Sequence, residues 1–519
     1  MPLTVTQKFH VHNAKQFIES VTESENDNYY LFVGRPVPWT NGDDDDPDTP
    51  TASVKNSSYD YLRDILVMRK IRGEDLIQVA RRYDWTTNTR YTMYDHRVSQ
   101  VDFLANTTAP GYVLTSNYDV FKCIYDGRTT SNSLADLSVD EPTVVGQSDI
   151  GAITSAGTYR WKFLYNIPTA DRSRYLNSQF MPVRSVGSVL DYVDDPASNG
   201  YIGSGDVYND GTSKYQVFDN ARLFGNGAIY QIVLDTVGNS YASAPTVTIA
   251  GDGSGATAQA FIAANTVSRI QIISPGTNYS WATVTIEPPS PSAANSAATA
   301  TAIINPRYAF TNTSGTYYVS SHAIHLEEEL GASGVMLYAE LAGSMGGIMT
   351  VGNQYRRVGI LRNPVEYGTN TRATGNVYSQ MTILTIPADS GAVFQPDELV
   401  WQAATNASGV VVDMIGNTVR LVGVGFNGEQ FVVGQTISGI GNGRVEGQEI
   451  SPNPEQNIPA FPGPYVPPTE KSGVVGVMVE AIDYPDLEPL SGDVLFVDHR
   501  APVTRAPNQQ EVVRTILEF

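Results

Sequence analysis

The chain has 519 residues, of which 41% are hydrophobic and 10% aromatic, and its formal net charge is -21. Because carboxylates are in such excess and the sequence holds no Lys/Arg-rich cluster, we exclude nucleic acid as a partner. The 45 Gly, 30 Pro and 29 Tyr favour strands and turns, so we expect a mainly β protein with a few helices, an α+β fold.

The first predicted elements are a helix and a strand. The chain starts without an apolar signal segment and contains no apolar run of membrane-spanning length, so we expect assembly in the cytoplasm and no membrane partner. Asn13 is placed as the N-cap of a helix that carries Phe17, Ile18 and Val21. Residues 29–39 predict a short apolar strand that ends in a turn with Gly and Pro.

A loop and a second helix are predicted next. The aspartates at 43–46 lack the alternate spacing and the distal Glu of a calcium loop, so they predict a solvated linker. From Ser58 onward, Leu62, Ile65 and Leu66 recur at helical spacing and predict a helix.

Two strands follow, at 118–125 and 158–168, and Pro168 ends the second one. The first contains Cys123, the single cysteine of the chain. An internal disulfide is therefore impossible, which is compatible with a reducing cytosol. We interpret this cysteine as a small buried hydrophobic residue and not as a reactive thiol.

An internal repeat occupies the region that begins near residue 191. Gly238 and Tyr241 of the first unit correspond to Gly276 and Tyr279 of the second at the same offset. Each unit predicts a strand, a turn, an aromatic anchor, a second strand and an Ala/Thr-rich strand. Two units are too few for a solenoid, so we predict a small β module made of two similar halves.

A second β-rich stretch follows the repeat. Short alternating segments between Gly and Asn turns predict strands with Trp401, Val411, Leu421 and Phe431 in their core. The proline-rich segment 451–470 predicts an extended connector. After it, β-branched and aromatic residues alternate up to the last residue, which predicts a strand paired inside a core.

The sequence gives no positive sign of catalysis or metal binding. His10 and His12 would share a strand face, and His322 and His325 form a second pair, but neither pair has further ligands nearby. The glycine-rich segments do not open a helix after a strand, so they predict turns and not nucleotide sites. We expect no catalytic residue, no cofactor, no metal and no small-molecule substrate, and so no enzyme.

Six stretches, in the same order along the chain, resemble the dimeric baseplate wedge subunit of T-even-type contractile-tailed bacteriophages. They are residues 32–39, 80–91, 120–125, 158–168, 352–367 and 500–519. The residues that match the family pattern, interpreted as interface or core positions, include Gly34, Arg35, Trp39, Arg81, Arg82, Trp85, Arg90, Trp161, Asn353, Arg356, Asn363, Pro364, Arg500 and Phe519.

The family pattern is shorter than this chain, which implies insertions. We predict a discontinuous β-rich core domain made of 1–190, 306–367 and 481–519. The β-rich module 191–305 and the β-rich stretch with its connector, 368–480, are then insertions carried by that core.

The resemblance implies a structural virion protein: a homodimer in the tail baseplate that links other baseplate wedge proteins. The tryptophans are interpreted as core packing. For the arginines Arg35, Arg81, Arg82 and Arg356, an ion pair inside the fold and a contact between subunits both stay open. The alternative is a receptor- or carbohydrate-binding tail protein, and a depolymerising tailspike enzyme is a third reading.

Overall fold

The computed structural model describes most of the chain. The described residues are 6–23, 27–39, 54–98, 100–143, 153–183, 207–209, 214–216, 227–289, 296–305, 309–311, 317–319, 326–341, 354–425, 429–439, 475–502 and 511–519. Strands dominate these residues and helices are few, so the predicted mainly β fold class is confirmed.

The chain forms two compact units. Unit 1 comprises Met1–Lys15, Ile77–Met336 and Ile516–Phe519, and unit 2 comprises Gln16–Leu76 and Leu337–Thr515. The predicted division into a discontinuous core with two insertions stays a prediction.

The helices are α1 (Gln7–Thr22), α2 (Val54–Arg63), α3 (Gln100–Ala105), α4 (Thr169–Tyr175) and α5 (Leu326–Glu329), with a 3-10 turn at Gly73–Asp75. None of the described helices is long and apolar enough to cross a membrane.

The first fifteen strands are β1 (Tyr29–Gly34), β2 (Ile65–Lys70), β3 (Leu76–Arg81), β4 (Tyr112–Leu114), β5 (Asp119–Asp126), β6 (Ile153–Ala156), β7 (Tyr159–Asn166), β8 (Phe180–Pro182), β9 (Val207–Asn209), β10 (Lys214–Gln216), β11 (Ile229–Thr236), β12 (Val247–Gly251), β13 (Ser254–Ala263), β14 (Thr266–Thr277) and β15 (Ala282–Ile286). The next are β16 (Thr299–Ile304), β17 (Ala309–Thr311), β18 (Tyr317–Val319), β19 (Gly334–Glu340), β20 (Arg357–Arg362), β21 (Val377–Ser379), β22 (Thr382–Thr385), β23 (Leu399–Gln402), β24 (Ala407–Ile415), β25 (Thr418–Val422), β26 (Thr436–Gly439), β27 (Val475–Met478), β28 (Ala481–Asp483), β29 (Asp493–His499) and β30 (Val512–Glu518).

The prediction of Asn13 as a helix cap is wrong, because α1 already begins at Gln7. Val11, Ala14 and Val21 are all buried, and their spacing places them on one helical face that starts before Asn13. The two histidines near the start of the chain therefore lie on this helix and not on a strand.

The predicted second helix is also too long. It ends at Arg63, and Ile65 and Leu66 belong to β2, which lies between β1 and β21 in a sheet. A strand that is buried on both faces carries a continuous apolar run, and such a run matches helical spacing by coincidence.

Unit 1 contains the predicted strand pair as the centre of a four-stranded sheet, in the order β4-β5-β7-β6. Cys123 pairs with Trp161 across the antiparallel strands β5 and β7, and both side chains are fully buried. Cys123 is a free, buried cysteine, as predicted. Phe121 of β5 and Tyr159, Trp161 and Phe163 of β7 belong to one buried cluster, so these two strands form the centre of an aromatic-rich core.

The last strand is paired, as predicted. β30 is an outer strand of a second sheet with the order β30-β19-β3-β8. At the end of this strand, Ile516–Phe519 belongs to unit 1 together with Trp85 and Trp161. The backbone N–H of Phe519 donates to the carbonyl of Ser333 at 3.3 Å.

The repeat folds into one module with two similar halves, as predicted. The first strand of each half pairs with the last strand of the other, so that β11 pairs with β16 and β14 pairs with β13. The two middle strands, β12 and β15, pair with each other. Tyr241 and Tyr279 are buried, and their hydroxyl groups accept hydrogen bonds from the N–H groups of Ala298 and Ala256 at 2.9 and 3.4 Å.

Unit 2 contains two sheets, with the orders β21-β2-β1-β20-β29 and β27-β26-β23-β24-β25-β22-β28. In the region of the second sheet, Trp401, Val411 and Leu421 on its strands and Phe431 between β25 and β26 are buried, which confirms the predicted core. The predicted connector 451–470 lies outside the described residues.

Candidate functional site

Two family-motif residues of unit 1, Trp161 and Trp85, belong to or pack against a core that contains a stack of aromatic rings. Trp161 is fully buried, with the ring of Tyr159 stacked on it at 5.5 Å and the ring of Tyr91 at its edge at 5.2 Å. The hydroxyl of Tyr159 accepts from the N–H of Tyr91 at 3.1 Å and donates to the carbonyl of Asp136 at 2.6 Å. Burial raises the pKa of Tyr159 well above its usual range, so this hydroxyl stays protonated and remains a donor.

This stack reaches a surface segment that we call the Leu134 loop, residues 127–143. Arg90 of the family motif donates from Nε to the carbonyl of Ala135 at 2.9 Å. Ser138 donates its N–H to the carbonyl of Thr89 at 2.9 Å, and its own carbonyl accepts from the N–H of Asn88 at 2.7 Å. The 80–91 stretch therefore fixes the backbone of the loop.

Both ends of the loop are held by carboxylates. Asp126, at the end of β5, is fully buried and forms an ion pair with Arg128 at 2.5 Å. Glu141 accepts from both the N–H and the hydroxyl of Ser116, at 2.6 and 2.8 Å. Because the loop is tied at its start, middle and end, it has a defined shape without regular secondary structure.

The Leu134 loop exposes apolar side chains. Leu134 is 76% exposed, Leu137 43% and Val139 67%. Single exposed apolar residues are ordinary on protein surfaces, but here three lie close together on one short, fixed segment, and clustered apolar exposure is typical of contacts with other molecules. Asp136 and Asp140 lie between and beside these residues in the sequence, so this segment has an acidic border.

The other motif residues of unit 1 make contacts inside the fold. Arg81 pairs with Glu518 at 3.0 Å on the surface, and its guanidinium lies over the ring of Phe180. Arg82 pairs with Asp84 at 2.8 Å and also donates to the carbonyl of Asn177. For these arginines the interpretation as ion pairs within the fold fits the contacts. Trp85 is partly buried and packs against the aromatic core.

In unit 2 the motif residues join segments that are far apart in the sequence. The N–H of Arg356 donates to the carbonyls of Gly34 and Arg35 at 3.0 and 3.1 Å, and the N–H of Arg500 donates to the carbonyl of Arg356 at 2.9 Å. Trp39 is buried and its Nε1 donates to the carbonyl of Arg500 at 3.2 Å. An early turn, a central strand and a late strand therefore meet at these residues.

The local structure explains why Gly34 and Arg356 occupy their positions. At Gly34 a Cβ atom would lie 2.7 Å from the carbonyl oxygen of Asp64, which leaves no room for a side chain. Arg356 is 1% exposed, and its guanidinium donates to the carbonyl of Pro36 and to the side chain of Gln354. It acts as a buried tie between strand and turn and not as an exposed contact residue.

The remaining motif positions are structural or undescribed. Asn363 has a positive φ of 52°, and its side chain accepts from the N–H of Asn28 at 2.8 Å. Pro364 borders a narrow cleft with about 190 Å³ of empty space, below the size of ordinary small-molecule pockets. Asn353 lies outside the described residues.

Sequence reasoning missed a buried charged cluster in unit 1. Lys122 contacts Glu329 at 2.5 Å, and Lys162 donates to the hydroxyl of Tyr230 at 2.9 Å. Burial lowers the pKa of Lys162 to about 7. Burial raises the pKa of Glu329, but the charges of Lys122 and Lys162 outweigh this effect and hold it below its ordinary value.

The side chains of this cluster are buried. Lys122 is 6% exposed, Lys162 3% and Glu329 8%, and the ammonium of Lys122 lies 4.0 Å from the centre of the Tyr94 ring. Its role is to balance charges inside the core. A lysine on an alternating strand resembles a solvent-facing position, so the sequence carried no signal for the cluster.

The sequence-based reasoning also missed the Leu134 loop and the exposed Trp281. Alternating apolar residues suggest strands, so Leu134, Leu137 and Val139 gave no sign of exposure. Among the residues that the structure describes, no group of three or more His, Cys, Asp or Glu side chains could hold a metal ion. The second histidine pair lies outside the described residues.

No family model matches this chain, and no curated protein matches it.

Proposed function

We propose that this chain is a structural virion protein, a baseplate wedge subunit of a contractile phage tail, which forms a homodimer and links other wedge proteins. It acts by binding proteins, without enzymatic activity. The observation that carries the proposal is the Leu134 loop, a fixed surface segment with exposed apolar side chains that is tied down by residues of the 80–91 motif.

The loop is suited to protein contact on energetic grounds. Burying a side chain such as Leu134, Leu137 or Val139 contributes about 1.5–3 kcal/mol each. Because hydrogen bonds to Arg90 and Thr89 already fix the backbone, little conformational entropy is lost on binding. Most of the free energy gained by burying these side chains therefore contributes to binding the partner.

Charge supports the same role. The net charge of -21 keeps free subunits apart and discourages nonspecific association. The acidic border of the Leu134 loop adds selectivity for partners that bring basic residues to its rim. A high net charge together with a selective contact segment suits a subunit that must stay unassembled until it meets its specific partners.

The interior contacts of the motif residues support a rigid framework. Trp161 and Trp39 are buried, and Arg356 ties a turn to a strand. These side chains hold surfaces in place and leave recognition to exposed segments.

Light scattering on the purified full-length chain tests the proposal. A homodimer gives a mass near twice the 56.3 kDa of one chain. A receptor-binding fibre or spike would give a trimer. A chain that stays monomeric at micromolar concentration, or forms trimers, contradicts the proposal.

A further inference from the structure

The repeat module carries an exposed tryptophan. Trp281 is 56% exposed, and it follows the buried anchor Tyr279 by two positions. In the other half, the turn between Tyr241 and the shared Thr-Val-Thr-Ile sequence is one residue longer and contains no aromatic residue. Ser243, two residues after Tyr241, is also exposed.

The backbone beneath this indole is fixed. Asp252 accepts hydrogen bonds from the N–H of Ser280 at 2.8 Å, from the N–H of Trp281 at 3.2 Å and from the hydroxyl of Ser280. These bonds, led by the one from the Ser280 hydroxyl, lower the pKa of Asp252 to about 2. The buried ring of Tyr279 packs into the core of the module and anchors the turn. The tryptophan is therefore presented on a rigid support.

The surface next to the indole is flat and rich in hydroxyl groups. Trp281 lies directly before β15, two residues before Thr283 and four before Thr285. Because alternate residues of a strand share a face, Trp281 continues the exposed face that carries these two threonines. On the neighbouring strand, Ala250 lies opposite Thr283 and Thr248 lies opposite Thr285, and both are exposed. The opposite face of these two strands packs into the module core.

Basic groups are absent from this surface in the part of the module that the structure describes. The one Lys or Arg within 227–305 is Arg269, whose guanidinium lies over the ring of Phe261, 4.1 Å from its centre. Asp252 lies beside the indole and carries a negative charge. An anionic ligand would be repelled here, whereas a neutral ligand would not.

We propose that Trp281, with Asp252 and the threonines of β12 and β15, forms a binding surface for a neutral polysaccharide. The carbon-bound hydrogens of a sugar ring fit the electron-rich face of an indole. Threonine hydroxyls donate and accept hydrogen bonds, as sugar hydroxyls do, and a carboxylate accepts them. A protein-binding hot spot would instead need a ring of surrounding contacts that excludes water, and small hydroxyl side chains do not provide one.

This activity goes beyond the proposed structural role and does not depend on it. Native gel electrophoresis of the full-length chain tests it, in gels that contain dextran, laminarin or mannan, and in a gel with the anionic polysaccharide alginate. We expect retardation by at least one neutral polysaccharide and none by alginate. Retardation by alginate alone, or by none of the four, overturns the proposal.

Variants locate the surface. Trp281→Ser removes a side chain that is 56% exposed, so the fold should be retained, and we expect at least about tenfold weaker retardation. The control is Ile273→Ser, which removes another exposed apolar side chain of the module, 60% exposed, and should leave retardation unchanged. Thr283→Val removes a hydroxyl without changing the shape and should weaken binding severalfold. Equal effects of Trp281→Ser and Ile273→Ser, or no effect of Trp281→Ser, overturn the proposal.

Discussion

Lys122 and Lys162 lie directly opposite each other on the neighbouring strands β5 and β7, and both side chains are buried. The buried carboxylate of Glu329 contacts the ammonium of Lys122 at 2.5 Å. With two cations for one carboxylate, the core holds a surplus positive charge whenever both lysines are protonated. The stability of unit 1 therefore depends on pH and on each of these three residues.

The first prediction concerns pH. The pKa of Lys162 is lowered from 10.5 to about 7 by burial, so between these values the unfolded chain binds more protons than the folded one. The free energy of unfolding then rises with pH, by about 1–3 kcal/mol from pH 7 to pH 9. Urea denaturation at several pH values measures this rise. Lys162→Met should remove it, and an equal rise in that variant would show that another group is responsible.

The second prediction concerns the carboxylate. Glu329→Gln removes the buried carboxylate that contacts Lys122 and should lower the free energy of unfolding by about 3–5 kcal/mol at pH 7. Glu518→Gln is a matched control, because Glu518 forms an exposed ion pair with Arg81 and its loss should cost less than about 1 kcal/mol. Similar losses in the two variants would argue against a special role for the buried cluster.

The third prediction uses the symmetry of the repeat module. Tyr241→Phe leaves the buried N–H of Ala298 without its 2.9 Å hydrogen bond and should cost about 1 kcal/mol. Tyr279→Phe breaks a longer bond of 3.4 Å and should cost less. Denaturation of the full-length chain, followed by a probe within the module, ranks the two variants. The reverse order would contradict the geometry.

The fourth prediction concerns the Leu134 loop. Arg90→Ala removes the hydrogen bond to the carbonyl of Ala135, so amide hydrogen exchange at 134–139 should become up to about tenfold faster. Arg72→Ala, which removes a surface ion pair with Glu74, is the control and should leave exchange in the loop unchanged. If both variants exchange alike, Arg90 does not fix the loop.

The fold could be predicted where local patterns and long-range packing agree. The strands around Cys123 and Trp161 were predictable from their aromatic and β-branched residues, although both strands are almost entirely buried. The strands of the two-unit repeat were predictable because their alternation matches their burial. Ile65 and Leu66 were assigned to a helix, because a strand buried on both faces has no alternation. Which elements pair was not predictable, since pairing depends on contacts between distant segments, such as the bond from Trp39 to Arg500.

The candidate site was less predictable than the fold. The motif residues were identified by resemblance, but many of them turned out to support surfaces from the interior, as Arg356 does. The exposed residues of the Leu134 loop and Trp281 are of the same residue types as those that form the core. Their exposure follows from tertiary structure, which a single sequence does not record.

Antibody labelling of phage particles tests the central claim most directly. Under the proposal the chain is encoded by a contractile-tailed phage. An antibody raised against the full-length chain would be applied to intact particles of that phage, and the label would be located by electron microscopy. We predict label at the baseplate, at the end of the tail, on each particle. Label confined to fibres, or particles that carry no label while the chain is abundant in the infected cell, would contradict the proposal that it is a baseplate wedge subunit.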